Sequence, residues 1–107
     1  MREFGRTGVK VSAIAPGGHH LGAAKEENIA VDIVHRALDG GHKFVDCCWE
    51  YNGGKSEDWL GEGLKGSRDK AFLKTKVCTH GRDAVLAMQM LEQSLRRLQT
   101  DTRREFP

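Results

Sequence analysis

The sequence has 107 residues, of which 38% are apolar and 30% charged, and its formal net charge is +2. These values are ordinary for a globular domain, and so small a charge gives no argument for nucleic acid or an anionic membrane as a partner. No stretch approaches the ~20 apolar residues of a membrane span, and the N-terminus lacks the apolar segment of a signal peptide, so we predict a cytoplasmic protein without a membrane segment.

The N-terminal segment, residues 3–15, has the pattern of a β-hairpin. Apolar and polar residues alternate from position 9 to position 13, and Thr7-Gly8 supplies the turn. The glycine-rich stretch P-G-G-H-H-L-G, residues 16–22, is too irregular for a helix or a strand. We therefore predict a loop between the hairpin and the rest of the chain.

Three amphipathic helices and two short strands follow in alternation. The first helix begins near Asn28, the second is capped by Ser56, and the third covers residues 83–99. The strands are predicted at residues 43–47 and 71–77. The helix positions that recur at helical spacing and are predicted to face the core are Ala30, Ile33, Val34, Ala37, Leu38, Trp59, Leu60, Leu64, Ala84, Ala87, Met88, Leu91, Leu95 and Leu98. Such alternation predicts a single α/β domain with a parallel sheet and right-handed crossovers.

Cysteines and histidines give a possible metal site, which the spacing disfavours. The candidate ligands are Cys47, Cys48, Cys78, His19, His20 and His80. They form no CxxC or HxxxH motif, and adjacent pairs do not easily hold one ion, so no metal site is predicted. An odd number of cysteines, two of them adjacent, indicates reduced thiols near the core.

Polar residues end both predicted strands. Asp46 ends the first and Lys76 the second, and the carboxyl ends of neighbouring parallel strands are where sites are built. Tyr51 lies in the loop after Asp46. Taken singly, the three residues have ordinary explanations: a turn carboxylate, a packed aromatic ring and a lysine that reaches solvent.

Taken together, the three side chains favour acid catalysis. A free phenol has a pKa near ~10, and a nearby ammonium group favours the phenolate. A carboxylate beside the ammonium orients it and keeps it charged. Tyr51 held in this way could protonate a carbonyl oxygen during reduction. The accompanying hydride implies a nicotinamide cofactor, because no side chain supplies one.

The sequence resembles the aldo-keto reductases over residues 3–101. The resemblance is carried by F-G-R-T-G-V-K-V-S, A-L-D-G-G-H-K-F-V-D-C-C-W-E-Y, R-D-K-A-F-L-K-T-K-V and L-E-Q-S-L-R-R-L-Q-T-D. It implies an N-terminal β-hairpin followed by the first β/α units of a (β/α)8 TIM barrel, incomplete, in one partial domain over residues 1–107.

The resemblance also implies an NADPH-dependent oxidoreductase that reduces aldehydes or ketones, with a small carbonyl compound as substrate. The implied catalytic residues are Asp46, Tyr51 and Lys76. The implied cofactor-binding residues are Gly18, His19, His20 and Asp46.

The sequence departs from the family after L-Q-T-D. Where the family continues into a strand that ends in the fourth catalytic residue, a histidine, this sequence reads T-R-R-E-F-P. We therefore expect a truncated or frame-shifted reductase that is inactive alone.

The sequence leaves two other functions to consider. The first is a non-catalytic barrel fragment that pairs with a barrel or with its own copy through an open sheet edge. The second is nucleic-acid binding, which is disfavoured because no aromatic platform accompanies the basic residues Arg96, Arg97, Arg103 and Arg104.

Overall fold

The computed structural model describes residues 1–77 and 82–100. Its strands are β1 (Arg2–Glu3), β2 (Lys10–Val11), β3 (Phe44–Asp46) and β4 (Phe72–Lys74). Its helices are α1 (Gly18–Gly22), α2 (Glu27–Asp39), α3 (Lys55–Leu64) and α4 (Ala84–Leu98), with single 3-10 turns at Tyr51–Gly54 and Arg68–Lys70. The predictions made for Cys78, His80, Arg103 and Arg104 fall outside the described residues.

Two small sheets organise the strands. β1 and β2 pair antiparallel, with Arg2 opposite Val11. β3 and β4 pair parallel, with Asp46 opposite Lys74, in agreement with the predicted parallel sheet. β3 and β4 are each shorter than the strands predicted at residues 43–47 and 71–77. Beyond the end of β4, the amide of Trp49 still donates to the carbonyl of Lys76 at 2.9 Å. The described residues therefore form a partial α/β unit with few strands and no closed barrel.

An aromatic cluster joins the N-terminal strands to the start of the parallel pair. The ring of Phe4 lies 5.5 Å from that of Phe44 and 5.2 Å from that of Phe72. The hydroxyl of Ser12 also accepts a hydrogen bond from the amide of Phe44 at 3.2 Å. The N-terminal segment therefore packs at the end of β3 and β4 opposite to the end that carries Asp46.

The core is formed by apolar side chains of the helices against β3. Val45 on β3 is 1% exposed, and Leu60 on α3 is 0% exposed. The buried cluster consists of Leu21, Ala30, Val34, Val45, Cys47, Leu60, Leu64, Ala71 and Leu98. No helix within the described parts of the chain is long and apolar enough to cross a membrane.

The predicted loop at residues 16–22 is wrong, because Gly18–Gly22 forms α1. Leu21 anchors this helix in the core with 3% exposure. Its two glycines allow close packing: a Cβ on Gly18 would stand 2.7 Å from the carbonyl oxygen of Asp46, and one on Gly22 would meet the Ser56 hydroxyl. The glycines that suggested an irregular loop are what bring a short helix against β3 and α3.

The predicted start of α2 near Asn28 is correct to within one residue, whereas the predicted cap of α3 is wrong. α2 begins at Glu27, so Asn28 lies inside its first turn. α3 begins at Lys55, and Ser56 is a fully buried residue inside the helix rather than its cap. The cap of α3 is Gly54, whose φ of 99° lies in the left-handed region that glycine tolerates. The preceding turn therefore sets where α3 begins.

The start of α4 agrees closely with its prediction. The carboxylate of Asp83 accepts hydrogen bonds from the amides of Val85 and Leu86 at 3.0 and 3.1 Å. Aspartate is a favoured N-cap because it satisfies amides that have no partner within the helix.

Some positions predicted to face the core are exposed. Ile33 is 42% exposed and Met88 is 56% exposed, and Ala84 is also at the surface. Val34 rather than Ile33 faces α3, where Gly63 leaves room for it: a Cβ on Gly63 would stand 2.9 Å from the Val34 Cβ. The buried stripe of α2 is therefore narrower than its apolar spacing indicates.

Candidate functional site

Three side chains from different elements converge at the carboxyl ends of β3 and β4. The ammonium nitrogen of Lys76 donates to Oδ1 of Asp46 at 3.1 Å and to the hydroxyl oxygen of Tyr51 at 3.3 Å. The same nitrogen lies 5.2 Å from the centroid of the Tyr51 ring. The structure thus brings together the three residues that the sequence singled out as catalytic.

The backbone after β3 directs Tyr51 toward Lys76. Three consecutive residues, Asn52, Gly53 and Gly54, have positive φ angles of 55°, 66° and 99°. Asparagine is among the few side-chain-bearing residues that adopt this region readily. Its amide nitrogen Nδ2 also donates to the carbonyl of His19 at 2.7 Å and to the Ser56 hydroxyl at 3.0 Å. The turn that follows Tyr51 is therefore tied to both α1 and α3.

The electrostatics of the site keep Lys76 protonated. Partial burial lowers the pKa of Lys76, but hydrogen bonds to Asp46 and Tyr51 outweigh it, and the net result is a pKa above the ordinary value. The ammonium of Lys74 lies 3.8 Å from the same carboxylate oxygen of Asp46. The side chains of Lys76 and Asp46 are 38% and 39% exposed, so one side of the site is open to solvent.

The residues predicted to contact a cofactor lie beside this trio. The His19 ring meets the Tyr51 ring edge-on, with 5.2 Å between centroids, and the His20 ring meets that of His19 at 5.4 Å. Both histidines are exposed, whereas Gly18 is buried against the backbone of Asp46. His19 and His20 are therefore available to a ligand, and Gly18 serves the packing of α1.

Sequence reasoning missed a buried carboxylate beneath the site. Glu57 lies in the first turn of α3, where a carboxylate suits the helix dipole, yet its side chain is 0% exposed. It accepts hydrogen bonds from Thr75 Oγ1 at 2.7 Å and from Ser94 Oγ at 3.0 Å, and it pairs with Arg97 Nη1 at 3.2 Å. A signal was available, because Glu57 shares the helical face of the core residues Leu60 and Leu64 at spacings of three and seven.

Two of the three cysteines are buried free thiols, as predicted. Burial raises the pKa of Cys47 to about 12, so its thiol stays protonated and unreactive at neutral pH. Across the described ranges, 1–77 and 82–100, no group of three or more histidine, cysteine, aspartate or glutamate side chains could hold a metal ion.

Comparisons with known proteins bear on this arrangement. The sequence model described as "Aldo/keto reductase family" matches residues 13–103. Methylglyoxal reductase YeaE of Escherichia coli (strain K12) is 32% identical over 94 residues, which cover 87% of this chain and 33% of that protein.

Solved structures of aldo-keto reductases also superpose on this chain. Aldo-keto reductase AKR11C1 from Bacillus halodurans, in its holo form, superposes with a TM-score of 0.81 at 31% identity, over 94% of this chain and 36% of that one. The aldo/keto reductase of Klebsiella pneumoniae, solved in complex with NADP and acetate, gives a TM-score of 0.76 at 32% identity, over 85% of this chain and 32% of that one.

The chain spans about a third of the length of these relatives. The family match includes Asp46, Tyr51 and Lys76, the three converging side chains. The resemblance noted in the sequence is confirmed, and the chain belongs to the aldo/keto reductase family.

Proposed function

We propose that this chain carries the proton-donating part of an NADPH-dependent oxidoreductase that reduces aldehydes or ketones to alcohols. The observation that supports the proposal is the position of the Lys76 ammonium, 3.3 Å from the Tyr51 hydroxyl and 3.1 Å from the Asp46 carboxylate. Tyr51 is the proton donor, Lys76 stabilises the phenolate that remains, and Asp46 orients Lys76.

The chemistry of each group suits this division of roles. As a substrate carbonyl oxygen gains negative charge, the Tyr51 hydroxyl donates its proton to that oxygen. The ammonium of Lys76 favours the resulting phenolate by direct attraction. Asp46 keeps Lys76 charged against the opposing effect of partial burial. These three side chains thus provide an acid but no source of a hydride.

The residues around the trio fit the nicotinamide end of NADPH. The site has one open side, where the exposed ring of His19 lies beside Tyr51 and the exposed ring of His20 lies beside that of His19. We propose that these histidines contact the cofactor, with Gly18 and Asp46 setting the floor beneath them. A bound nicotinamide cofactor would supply the hydride for the carbonyl carbon. The Klebsiella relative, which is 32% identical, was solved with NADP, and this supports the choice of cofactor.

We propose that residues 1–107 constitute one partial domain of a cytoplasmic enzyme and have little turnover by themselves. The physical reason is the open surface around Lys76 and Asp46, whose side chains are more than a third exposed. Positioning of reactants can be worth many powers of ten in rate, and an open surface provides little of it. A small carbonyl compound is the expected substrate, and methylglyoxal is a suitable first choice because one relative is named a methylglyoxal reductase.

The cofactor part of the proposal is tested by titrating the chain with NADPH while tryptophan fluorescence and melting temperature are recorded. We expect quenching of Trp49 or Trp59 and a higher melting temperature. If neither quantity changes at millimolar NADPH, these residues hold no cofactor site.

The catalytic part is tested in a chimera. Residues 1–100 replace the matching segment of the E. coli relative, and NADPH oxidation is followed with methylglyoxal. Tyr51→Phe should lower kcat by about 10²- to 10⁴-fold with NADPH affinity unchanged, as expected for a lost general acid. A second variant, Lys76→Met, removes the ammonium group beside Tyr51. Its matched control is Lys70→Met, which removes an exposed lysine next to β4. A fully active Tyr51→Phe chimera contradicts the assignment.

A second candidate is a non-catalytic fragment that associates through its open sheet edge. Among the described residues, β4 has β3 on one side and no strand on the other. Such an edge is a template for pairing with another chain. Size-exclusion chromatography with light scattering tests this candidate, and a monomer at all accessible concentrations rules out pairing with its own copy.

A further inference from the structure

A buried charged network lies directly beneath the candidate site. The Glu57 side chain is 0% exposed and its partner Arg97 is 16% exposed. Oε2 of Glu57 accepts from Thr75, and Oε1 accepts from both Ser94 and Arg97. With donors on both oxygens, the carboxylate is held in one orientation, and its charge is balanced by Arg97.

Two sets of hydrogen bonds, here called arms, link Glu57 to the two chain segments that carry Asp46, Tyr51 and Lys76. The first arm is Thr75, the residue immediately before Lys76. The second is Arg97, whose Nη1 also donates to the carbonyl oxygen of Trp49 at 2.9 Å and whose Cζ lies 5.3 Å from the Trp49 ring. Trp49 stands in the loop between Asp46 and Tyr51, so both segments that carry the trio are tied to one carboxylate.

The two arms meet again at the site, since the amide of Trp49 donates to the carbonyl of Lys76 at 2.9 Å. The Trp49 indole is also fixed, because its Nε1 donates to Gln93 Oε1 on α4 at 3.0 Å. The backbone of Trp49 is therefore held against Lys76 from one side and against Arg97 from the other.

We propose that Glu57 is a positioning residue, which holds Lys76 against Tyr51 through Thr75 on one arm and through Arg97 and Trp49 on the other. Its role in the reaction rests on the function proposed above, whereas its effect on the geometry does not. Glu57 touches none of the reacting groups, so it acts only through the residues that it orients.

If Glu57 served only to stabilise the fold, the variants would behave differently. A buried ion pair is poor at stabilising a fold compared with apolar side chains of the same volume, because desolvating both charges costs much of what their attraction returns. What directional hydrogen bonds provide instead is a fixed geometry. Loss of Glu57 should therefore disturb the arrangement of Lys76 and Tyr51 more than the packing at the far end of the same strands.

The experiment measures two contacts in each variant by NMR, without cofactor. Tyr51 is the only tyrosine of the sequence, so its ring signals identify themselves. The first contact is the Overhauser effect between that ring and the side-chain methylene groups of Lys76. The second is the effect between the rings of Phe44 and Phe72, which are 5.7 Å apart at the start of β3 and β4.

The variants are Glu57→Gln and Thr75→Val, with Thr75→Ser as the conservative change that keeps the hydroxyl. Asp58→Asn is the matched control, since Asp58 is the exposed acidic neighbour on the same helix. We expect Glu57→Gln and Thr75→Val to lose at least half of the Tyr51–Lys76 effect and to keep the Phe44–Phe72 effect. Thr75→Ser and Asp58→Asn should match the parent protein.

Other outcomes overturn the proposal. Glu57→Gln and Thr75→Val proteins that are folded and keep the Tyr51–Lys76 effect show that Glu57 does not position Lys76. If the Glu57→Gln protein does not fold, the Thr75→Val protein tests the proposal instead, because this variant leaves the pair between Glu57 and Arg97 in place. Loss of both contacts in Thr75→Val as well assigns the network to stability alone.

This readout is independent of the proposed enzyme function. Failure of the NADPH titration or of the chimera leaves the contact measurements intact, and failure of the contact measurements leaves the roles of Tyr51 and Lys76 untouched.

Discussion

The ammonium nitrogen of Lys76 lies 3.3 Å from the hydroxyl oxygen of Tyr51, although 25 residues separate the two in the sequence. A parallel pairing of β3 with β4 places Lys76 next to the loop that follows β3, and the left-handed turn after Tyr51 directs the ring back toward it. The distance is therefore a consequence of strand order and of one turn.

Replacing Asp46 with asparagine should lower the pKa of Lys76. The opposing effects are burial, which lowers this pKa, and the bonds to Asp46 and Tyr51, which raise it above 10.5. Without the carboxylate, burial should dominate. NMR titration of the lysine ε-carbon signals measures the change, and Asp39→Asn, an exposed aspartate at the end of α2, serves as the control. An unaltered Lys76 pKa in Asp46→Asn would contradict the electrostatic account of the site.

The raised pKa of Lys76 also predicts the direction in which the stability of the fold changes with pH. A lysine whose pKa is raised by folding contributes stability that is fully present below its unfolded pKa and lost as the pH rises through the folded value. The contribution of Lys76 should therefore disappear at pH values above about 10.5, and Asp46→Asn should flatten this part of the profile.

Cys47 should resist alkylation in the folded protein. Burial raises the pKa of its thiol to about 12 from 9.0, so its thiolate fraction at pH 8 falls by about 1000-fold. Mass spectrometry after iodoacetamide treatment should show at least a hundred-fold slower reaction at this site than in urea. Because folding raises this pKa, the associated stability is full below about pH 9 and lost as the pH approaches 12. Rapid labelling of Cys47 under native conditions would mean that the core opens readily.

Replacing Arg97 with methionine should destabilise the fold by about 3–5 kcal/mol, because it leaves the buried charge of Glu57 without its cation. Urea denaturation followed by circular dichroism measures the loss. Arg96→Met is the matched control: Arg96 is the exposed neighbour on α4, and surface substitutions usually change stability by less than about 0.5 kcal/mol. Equal stability of the two variants would show that the pair between Glu57 and Arg97 does not contribute to the stability of the fold.

Replacing Gly61 with alanine should destabilise the packing of α3 on α4. A Cβ at this position would meet the carbonyl oxygen of Arg97 and stand 3.0 Å from backbone atoms of Leu98, and backbone cannot move aside as a side chain can. Overpacking of this kind costs about 1–3 kcal/mol. Gly17→Ala is the control, because a Cβ on Gly17 has no atom within 4 Å. A Gly61→Ala protein that melts with the parent would refute the close approach of the two helices.

The sequence by itself determined the order of the main helices and strands and the residues at the strand ends. Helical spacing and the cap at Asp83 gave α4 almost to the residue, and apolar runs ending in Asp46 and Lys76 marked β3 and β4. These features are local, because each depends on periodicity or on groups a few residues apart.

Only the tertiary structure decided what lies beneath the site and how the glycine-rich stretch folds. Residues 18–22 form a helix because glycines without a Cβ let α1 approach β3 and α3, a contact that does not exist until those elements are present. Glu57 is an internal carboxylate because its donors come from β4's continuation and from α4, 18 to 40 residues away. A polar residue in a first helical turn has the same local pattern whether it faces water or three buried donors, and only packing distinguishes the two.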